Sequence, residues 1–423
     1  MQIGVRLPMK TAGIIAEYNP FHNGHKYQLE ETRKITGADY IIVMMSGNFV
    51  QRGYPALIDK YSRAEMALQN GADLVLELPV VYATASAEYF ALGAVSLLNH
   101  LSVSDYVSFG SECGTTAPLQ LLANLLTKES SSFQTALKKH LASGQSFPRA
   151  RMQALKETTV LNNQPKLASL LQSPNNLLGI EYLKAMNQLR STMTPITIKR
   201  LGMGYHDSQL HPSTAYPSAT AIRKLLQSTA AADSLENFLP DNVLAILRDK
   251  CIRQKPVTAD DFSLLLQYCL LTGQAQGFTG YQDITPDLSD KITKNIYRFT
   301  TFNDFCDLLK SKDITHSRIS RSLLHILLSI TSDDVSRYVQ DNIVYYARPL
   351  GFRKAAAPLL KAIKSNSDIP LLSKLADAGS MLSDTGFTML RQDILASHIY
   401  DSICCHKYNL SFCDEYRKPL IIL

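Results

Sequence analysis

The sequence lacks an apolar run long enough to cross a membrane. Its longest apolar stretches, such as residues 41–45 and 89–95, are much shorter than the roughly 20 residues that a membrane-spanning helix needs. The opening segment, residues 1–9, contains no extended apolar stretch of the kind that marks a secretory signal. We therefore expect a protein without a membrane anchor or a secretory leader, for which Met9 is an alternative start.

Cysteines at disulfide or zinc-binding spacing are missing as well. The chain has seven cysteines, an odd number, and they are scattered without a C-x-x-C pair. This pattern argues against a disulfide framework and against a structural zinc site. A reducing cytoplasm is the simplest location for such a protein.

Strong charge of either sign is absent too. Charged residues make up 19% of the 423 residues and hydrophobic residues 45%, so the chain has enough apolar side chains for a full core. The net charge is +6, but residues 226–423 carry equal numbers of basic and acidic side chains. The whole basic excess lies in the first half, which favours a polyanionic ligand such as a nucleotide or RNA. A solvated surface with a slight basic bias is the alternative.

Strand and helix patterns alternate along the first half. Short buried runs separated by amphipathic segments are typical of βαβ units, which build a parallel sheet. The predicted strands are 11–17, 40–45, 74–78, 106–109 and 196–200, and the predicted helices between them are 24–35, 60–69 and 85–100. The sequence therefore predicts an α/β fold with a Rossmann-like parallel sheet.

A change of pattern near residue 227 predicts two domains. The first, residues 1–227, contains the strands and carries a helical insertion at about 118–189. In the second, residues 228–423, segments such as 263–271, 318–330 and 355–363 have helical spacing and strand signals are few. We expect this second domain to be all-helical.

The strongest functional signal is the segment 17–25, which follows the first predicted strand and opens a helix. Ligands of open α/β sheets bind at the carboxyl ends of the strands, and a helix start with free N–H groups suits phosphate. Gly24, which has no side chain, would allow the backbone to approach a ligand closely. His22 and His25, three residues apart, can both donate to the oxygens of one triphosphate. Two surface histidines or a metal-binding pair are the alternatives, although H-x-x-H is not a zincin spacing.

A second segment, 218–223, has the residue types of a phosphate-binding helix start. Ser218 can cap a helix and Arg223 lies one turn further on. Hydroxyl, N–H and guanidinium groups together can hold the β- and γ-phosphates of a nucleotide. A pattern of this kind is common in proteins and is weak evidence by itself. Together with the histidine motif it becomes specific evidence for nucleotide binding.

The two motifs together resemble the HxGH nucleotidyltransferase superfamily and, more closely, the bacterial tRNA(Met) cytidine acetate ligase family. The matching stretches span nearly all of residues 11–225; they are 13–25, 45–53, 72–79, 109–112, 173–179 and 205–207. The resemblance implies that the protein activates acetate with ATP as acetyl-adenylate, and we expect Mg²⁺ on the phosphates. It implies transfer of the acetyl group to the wobble cytidine of elongator tRNA(Met), which forms N4-acetylcytidine.

The resemblance also implies which residues contact ATP. His22 and His25 are the expected catalytic residues. The expected nucleotide-binding residues are Ile15, Ala16, Glu17, Tyr18, Asn19, Pro20, Phe21, His22, Asn23, Gly24, His25, Lys26, Tyr27, Gln28, Gly110, Asn175, Asn176, Arg200 and Arg223. Asn175 and Asn176 follow Pro174 at a predicted helix start, so one of them is as readily a cap as a ligand.

Further polar residues are candidates for the substrate pockets. A group after the second predicted strand could shape the acetate or cytidine pocket: Ser46, Gly47, Asn48, Gln51 and Arg52. Cations that could extend a positive surface toward RNA are Lys60, Arg63, Lys199, Arg200, Arg223 and Lys224. In the second half the candidates for splayed anticodon bases are Arg318, Arg321, Arg348, Arg353 and Lys354, beside Tyr345, Tyr346 and Phe352. Glu77 lies in an apolar strand and needs a partner if it is buried.

Two other functions remain open from the residues alone. A small-metabolite adenylyltransferase that releases pyrophosphate would use the same motifs, but it would not need the long helical addition. A non-catalytic protein that binds RNA or nucleotide would not need to keep His22, His25 and Arg223 intact.

Overall fold

The structure is a computed structural model that describes residues 9–145, 147–157, 165–201, 218–228, 235–252 and 256–423. The stretch 205–207 that contributes to the family resemblance lies outside these residues. Within the described part of the chain, no helix has both the length and the apolar character needed to span a membrane.

Strands and helices alternate through the first half, as the sequence predicts. The strands are β1 (Thr11–Ala16), β2 (Tyr40–Ser46), β3 (Phe49–Val50), β4 (Tyr54–Pro55), β5 (Leu74–Leu78), β6 (Tyr106–Ser111), β7 (Thr194–Lys199), β8 (Arg348–Phe352) and β9 (Ile421–Ile422). The described helices of this half are α1 (Asn23–Thr36), α2 (Lys60–Gln69), α3 (Val80–Ala83), α4 (Ala87–His100), α5 (Thr116–Thr127), α6 (Ser131–Ala142), α7 (Phe147–Lys156), α8 (Pro165–Leu170), α9 (Pro174–Gln188) and α10 (Ala219–Ser228).

Helices dominate the rest of the chain. They are α11 (Asp241–Leu247), α12 (Ser263–Gly273), α13 (Pro286–Asn295), α14 (Phe302–Leu309), α15 (His316–Leu327), α16 (Ser332–Gln340), α17 (Ala357–Asn366), α18 (Ala378–Met381) and α19 (Asp384–Tyr408). Shorter helical turns connect several of them.

One seven-stranded sheet organises the molecule, with the strand order β7-β6-β1-β2-β5-β8-β9. Neighbouring strands from β7 to β5 run parallel. From β1 the chain proceeds outward through β2 and β5, then returns to β6 on the other side of β1. The strand order therefore reverses between β1 and β6, and ligands of such sheets bind at this point beyond the carboxyl ends of the strands.

Buried side chains cover both faces of the sheet, which explains why its strands are continuous apolar runs. Ile14, Val43 and Val75 face a cluster that includes helices α1, α2 and α11. Ile42 and Leu76 face a larger cluster that includes α4, α9 and helices of the second half. The prediction of an α/β fold with a Rossmann-like parallel sheet is confirmed.

The second half is mainly helical, but the expectation that it is all-helical is wrong. Strand β8 pairs antiparallel with β5, and β9 pairs parallel with β8. Pro349 and Gly351 give β8 a weak strand signal, and the register against β5 shifts between Val75 and Leu76. Proline is tolerated in a sheet at such an irregularity, so burial against β5 creates a strand that local propensity does not indicate.

Contacts across the predicted boundary are extensive. The carbonyl of Ala56 accepts from the Tyr400 hydroxyl at 2.9 Å, and the Val80 N–H donates to Asp393 at 2.6 Å. The boundary itself, at 227/228, adjoins residues 229–234, which lie outside the described part of the chain. The division into two domains stays a prediction.

A buried ion-pair network joins the sheet to the C-terminal segment. Lys60 Nζ lies 2.7 Å from carboxylate oxygens of both Glu77 and Glu415, and Arg348 lies 2.9 Å from Glu77 and 2.6 Å from Glu415. Burial alone would raise the pKa of Glu415, but the charges of Lys60 and Arg348 outweigh that effect and lower it. Glu77 therefore has the partners that its buried position requires.

Candidate active site

His22 and His25 form a stacked pair at the start of α1. Their ring centroids are 3.7 Å apart and the ring planes differ by 23°. His22 is the N-cap: its Nδ1 accepts from the Gly24 N–H at 3.1 Å, and the His22 N–H donates to Nδ1 of His25 at 3.2 Å. This reciprocal cap fixes both rings against the helix start.

The same hydrogen bonds determine where the imidazole protons are. Burial, followed by the charges of Arg200 and Arg223, lowers the pKa of His22 to about 3. Burial, followed by the neighbouring His22 ring and the charge of Arg200, holds the pKa of His25 well below its usual value. Both rings are thus neutral at pH 7, and because each Nδ1 accepts, the proton of each ring is on Nε2. Each ring thus carries one Nε2–H donor, in a buried side chain for His22 and a half-buried one for His25.

The start of α1 differs from the sequence expectation in two respects. Its first N–H groups are not free: Asn23 donates to the carbonyl of Phe238 at 3.1 Å and Gly24 donates to His22. A Cβ atom at Gly24 would lie 2.9 Å from the His22 ring. The glycine therefore makes room for the histidine, and anion binding depends on side chains more than on helix N–H groups.

The second motif lies against the first. Arg223, on α10, donates to the carbonyl of Asn19 at 2.9 Å and to the Thr220 hydroxyl at 3.0 Å. Ser218 caps this helix by accepting from the Ala221 N–H at 3.1 Å. Both arginines that lower the pKa of His22, Arg200 and Arg223, come from segments far along the chain. The structure thus brings the two motifs together as the resemblance implies.

Gly110 and Arg200 are neighbours on the other side of the strand-order reversal. The Arg200 N–H donates to the carbonyl of Ser111 at 2.9 Å. A Cβ atom at Gly110 would be 3.4 Å from the Arg200 side chain, so glycine leaves the arginine free to lie across the end of β6. This places a cation beside the site from the β6 edge.

Asn175 and Asn176 are held by Glu112, a residue that sequence reasoning missed. The Glu112 carboxylate accepts from the Asn175 side chain at 2.7 Å and from the Asn176 N–H at 2.8 Å. Asn176 returns the contact by accepting from the N–H groups of Glu112 and Cys113 at 3.0 and 3.1 Å. Glu112 thus caps α9 from outside. The sequence did contain a signal for Glu112, because this residue ends the stretch 109–112 that matches the family. Asn175 is half-buried and Asn176 buried, so Asn175 is the more accessible of the two.

The remaining residues expected around ATP divide into core and surface. Ile15, Tyr18 and Phe21 are buried in the core. The side-chain oxygen of Asn19 accepts a hydrogen bond from the Leu57 N–H at 2.9 Å. Half-buried or exposed residues of this group are Ala16, Glu17, Asn23, His25, Lys26, Tyr27 and Gln28; Pro20 is buried. Contact of each with ATP stays a prediction.

Glu17, which follows β1, acts electrostatically on two arginines. Burial lowers the pKa of both Arg52 and Arg223, and the carboxylate of Glu17 opposes this in each case. Its Oε1 also accepts from the Gln51 N–H at 2.9 Å. The charge of Glu17 therefore partly offsets the cost of burying these two arginines.

Arg63, expected on an RNA surface, is instead fully buried. Its guanidinium donates to the carbonyls of Glu17 and Ser46 at 2.6 and 3.0 Å and to that of Gly47. Lys60 is equally buried in the ion-pair network. Assigning these two cations to an RNA surface was wrong, because Arg63 holds the loops after β1 and β2 and Lys60 pairs with the buried carboxylates of Glu77 and Glu415.

The second-half candidates for RNA include core residues as well. Arg348, Tyr345 and Tyr346 are buried, and Tyr346 donates to Asp393 at 2.5 Å. Arg321 is also buried and lies 2.7 Å from Asp283. Of the cations beside the site, Lys199 and Lys224 are exposed as expected.

Comparison with known proteins identifies the family. Residues 9–413 match the family described as HIGH Nucleotidyl Transferase. A relative from Caldanaerobacter subterraneus subsp. tengcongensis, named tRNA(Met) cytidine acetate ligase, is 41% identical and covers 98% of this chain and 100% of its own. One of the same name from Acetivibrio thermocellus is 38% identical, with the same coverage. The chain belongs to the tRNA(Met) cytidine acetate ligase family.

Solved structures agree with membership of the tRNA(Met) cytidine acetate ligase family. The crystal structure of apo Thermotoga maritima TmcAL superposes with a TM-score of 0.92 at 30% identity, and the form bound with alpha-thio ATP with a TM-score of 0.89 at 30% identity. Each match covers 98% of this chain and 100% of the other. The resemblance drawn from the motifs is thereby confirmed.

Proposed function

We propose that this protein is an ATP-dependent ligase that acetylates the wobble cytidine of elongator tRNA(Met), forming N4-acetylcytidine. The observation that carries the proposal is the stacked, neutral histidine pair, with two Nε2–H donors beside Arg200 and Arg223 at the strand-order reversal. Such a site is suited to a nucleoside triphosphate. The assignment of acetate and tRNA(Met) as substrates comes from the names of the relatives.

The first step joins acetate to the α-phosphate of ATP. A carboxylate oxygen of acetate forms a bond to the α-phosphorus, and the bond from that phosphorus to the bridging oxygen of the β-phosphate breaks. Pyrophosphate leaves with the electron pair and gains negative charge. The Nε2–H groups of His22 and His25 and the guanidinium of Arg223 stabilise this charge. The step needs no protein nucleophile.

The second step transfers the acetyl group. The exocyclic amine of the cytidine attacks the acetyl carbonyl, AMP leaves, and the amine loses one proton. In the proposal ATP contacts residues of the segment 15–28 together with Gly110, Asn175 or Asn176, Arg200 and Arg223. Among the described residues, no group of three or more His, Cys, Asp or Glu side chains is placed to hold a metal ion. Mg²⁺ enters the proposal as an ion bound by the phosphate oxygens, where it would neutralise charge.

The two halves have different roles in this proposal. Residues 1–227 form the catalytic part and residues 228–423 contribute to tRNA binding. The exposed Lys199 and Lys224 belong to the RNA-facing surface. A cytoplasmic location follows from the tRNA substrate.

One experiment tests the proposal directly. The protein is incubated with ATP, labelled acetate and total tRNA, and the tRNA is digested to nucleosides. We expect labelled N4-acetylcytidine that depends on both ATP and elongator tRNA(Met). Pyrophosphate release without labelled nucleoside would favour the small-metabolite adenylyltransferase. Absence of both products would favour a protein that only binds RNA or nucleotide.

A further inference from the structure

Helix α12 turns a stripe of large apolar side chains to solvent. Its other side packs into the core through Leu266 and Leu270. On the solvent side, Leu264 is 77% exposed, Tyr268 66% and Leu271 48%. Intervals of four and three residues keep side chains on one face of a helix, so these three form a continuous stripe. The helix is therefore apolar on two opposite faces, and the described part of the chain covers only one of them.

A tyrosine from the following segment widens this stripe. Tyr297 is 81% exposed, lies in the helical turn Ile296–Arg298, and donates through its hydroxyl to the side chain of Gln274 at 3.2 Å. Gln274 directly follows α12, one turn beyond Leu271. We call Leu264, Tyr268, Leu271 and Tyr297 the α12 patch. Together they expose roughly 500 Å², a size at which an apolar patch on a soluble protein is often an interaction site.

The composition of the α12 patch suits a protein partner better than RNA. Helix α12 itself, with the sequence SLLLQYCLLTG, carries no charged side chain. RNA is held mainly by cations that neutralise its phosphates, and leucine side chains offer no hydrogen bond to a phosphate or a base. The buried centre of a protein–protein interface, in contrast, is rich in aromatic side chains and poor in charge.

Exposed charges of opposite sign flank the α12 patch at its two ends. Asp260 precedes the first residue of α12 by three positions and accepts from the Asn303 N–H at 2.9 Å, which brings Asp304 to the same end. Both aspartates are exposed. At the other end, Arg298 is exposed next to Tyr297. Two copies of α12 packed antiparallel across a two-fold axis would set the acidic end of each against the basic end of the other.

Area and charge together select a second copy of this chain as the occupant. A two-fold contact counts the patch twice, which gives about 1,000 Å² of total area, the lower limit for a specific interface. A second copy supplies both the matching apolar patch and the opposite charges by symmetry. We propose that the α12 patch forms an antiparallel two-fold contact in a weak, reversible homodimer. Asp304 of each copy then lies opposite Arg298 of the other.

Sedimentation velocity of the full chain over roughly 1–300 μM tests this contact. We expect a monomer–dimer equilibrium with a Kd of about 10–100 μM, because an interface of this size gives a weak complex. Tyr268→Lys places like charges at the centre of the stripe, so the Kd should rise at least about 10-fold. Tyr416 is an exposed tyrosine outside the patch, and the control Tyr416→Lys should leave the Kd unchanged. Circular dichroism checks that both variants are folded.

A charge exchange distinguishes a second copy from any other partner. Arg298→Asp sets like charges against Asp304, and Asp304→Arg sets like charges against Arg298, so each variant alone should dimerise about 5- to 10-fold more weakly. An equimolar mixture of the two variants has opposite charges at both ends of the contact. This mixture should therefore associate as tightly as the wild type, a recovery that requires an antiparallel contact between two copies.

Several results would overturn the proposal. One is a wild type that stays monomeric over the whole concentration range, and another is a dimer that Tyr268→Lys leaves unchanged. A mixture of the two charge variants that associates no better than either alone would rule out the antiparallel contact. Loss of tRNA affinity in Tyr268→Lys, without an effect on self-association, would assign the patch to RNA instead. None of these results decides whether the protein acetylates tRNA, which has its own test.

Discussion

The guanidinium of Arg223 donates to the main-chain carbonyl of Asn19 at 2.9 Å, across 204 residues of sequence. This contact fixes the second motif against the histidine turn. Asn19 also holds the Leu57 N–H through its side chain. The turn before α1 is therefore supported from two other segments, and the two histidines keep a defined position relative to Arg223.

Replacement of the first histidine should separate catalysis from helix capping. Asparagine is a good N-cap, so His22→Asn retains the cap of α1 but removes the Nε2–H donor. We expect acetyl-adenylate formation, measured by ATP–pyrophosphate exchange, to fall about 10²- to 10³-fold, with an unchanged circular dichroism spectrum. The exposed His406 provides the control His406→Asn. Wild-type exchange in His22→Asn would contradict the role of this histidine.

The low pKa of His22 predicts a pH-dependent stability. The ring stays neutral in the folded protein down to about pH 3, whereas in the unfolded chain it takes up a proton below about pH 6.5. Stability should therefore fall as the pH decreases through this window, by about 2 kcal/mol between pH 7 and pH 5 for this one group. Urea unfolding at both pH values should show a smaller difference in His22→Asn. An identical difference in both proteins would argue against a buried neutral His22.

Arg348 should be essential for stability. Arg348→Met leaves Glu77 and Glu415 buried with only Lys60 close to both. Removal of one partner from a buried ion pair costs about 3–5 kcal/mol, which urea unfolding can measure. Arg391 on α19 is exposed, and Arg391→Met should change stability by less than about 0.5 kcal/mol. A loss below about 1 kcal/mol for Arg348→Met would mean that the network is not formed.

Lys199 and Lys224 should contribute to tRNA affinity through charge. Each phosphate that they neutralise releases a counterion, so Lys224→Glu should reduce the slope of log affinity against log salt by about 1. Acetate-dependent pyrophosphate exchange should be unaffected, since Lys224 points to solvent. The exposed Lys364 on α17 gives the control Lys364→Glu. An unchanged salt slope in the Lys224 and Lys199 variants would place the RNA surface elsewhere.

A chain that ends at Gln227 should not fold stably. Without the second half, β5 loses its partner β8, and Lys60 and Glu77 lose Arg348 and Glu415 from the buried network. Size-exclusion chromatography and circular dichroism should show aggregated or unfolded material. A soluble, folded fragment that binds ATP would instead support two independently folding domains.

The sequence by itself determined the parallel strands of the first half, the long helices between them and the histidine motif. Continuous apolar strands and amphipathic helices are local patterns, so helix Lys60–Gln69 and strand Leu74–Leu78 follow from them with the observed bounds. The H-x-G-H turn is similarly local, because its cap, its glycine and its two rings lie within four residues.

Only the tertiary structure decided which charged residues are exposed. Nothing in the local sequence distinguishes the buried cations Arg63, Arg348 and Lys60 from cations on the surface. In the structure, carbonyls and carboxylates from distant segments surround them. Strand β8 likewise forms because β5 offers an unpaired edge, although Pro349 weakens its propensity. The partners in each case are far apart in the chain, and a local pattern carries no information about which distant groups the fold will bring together.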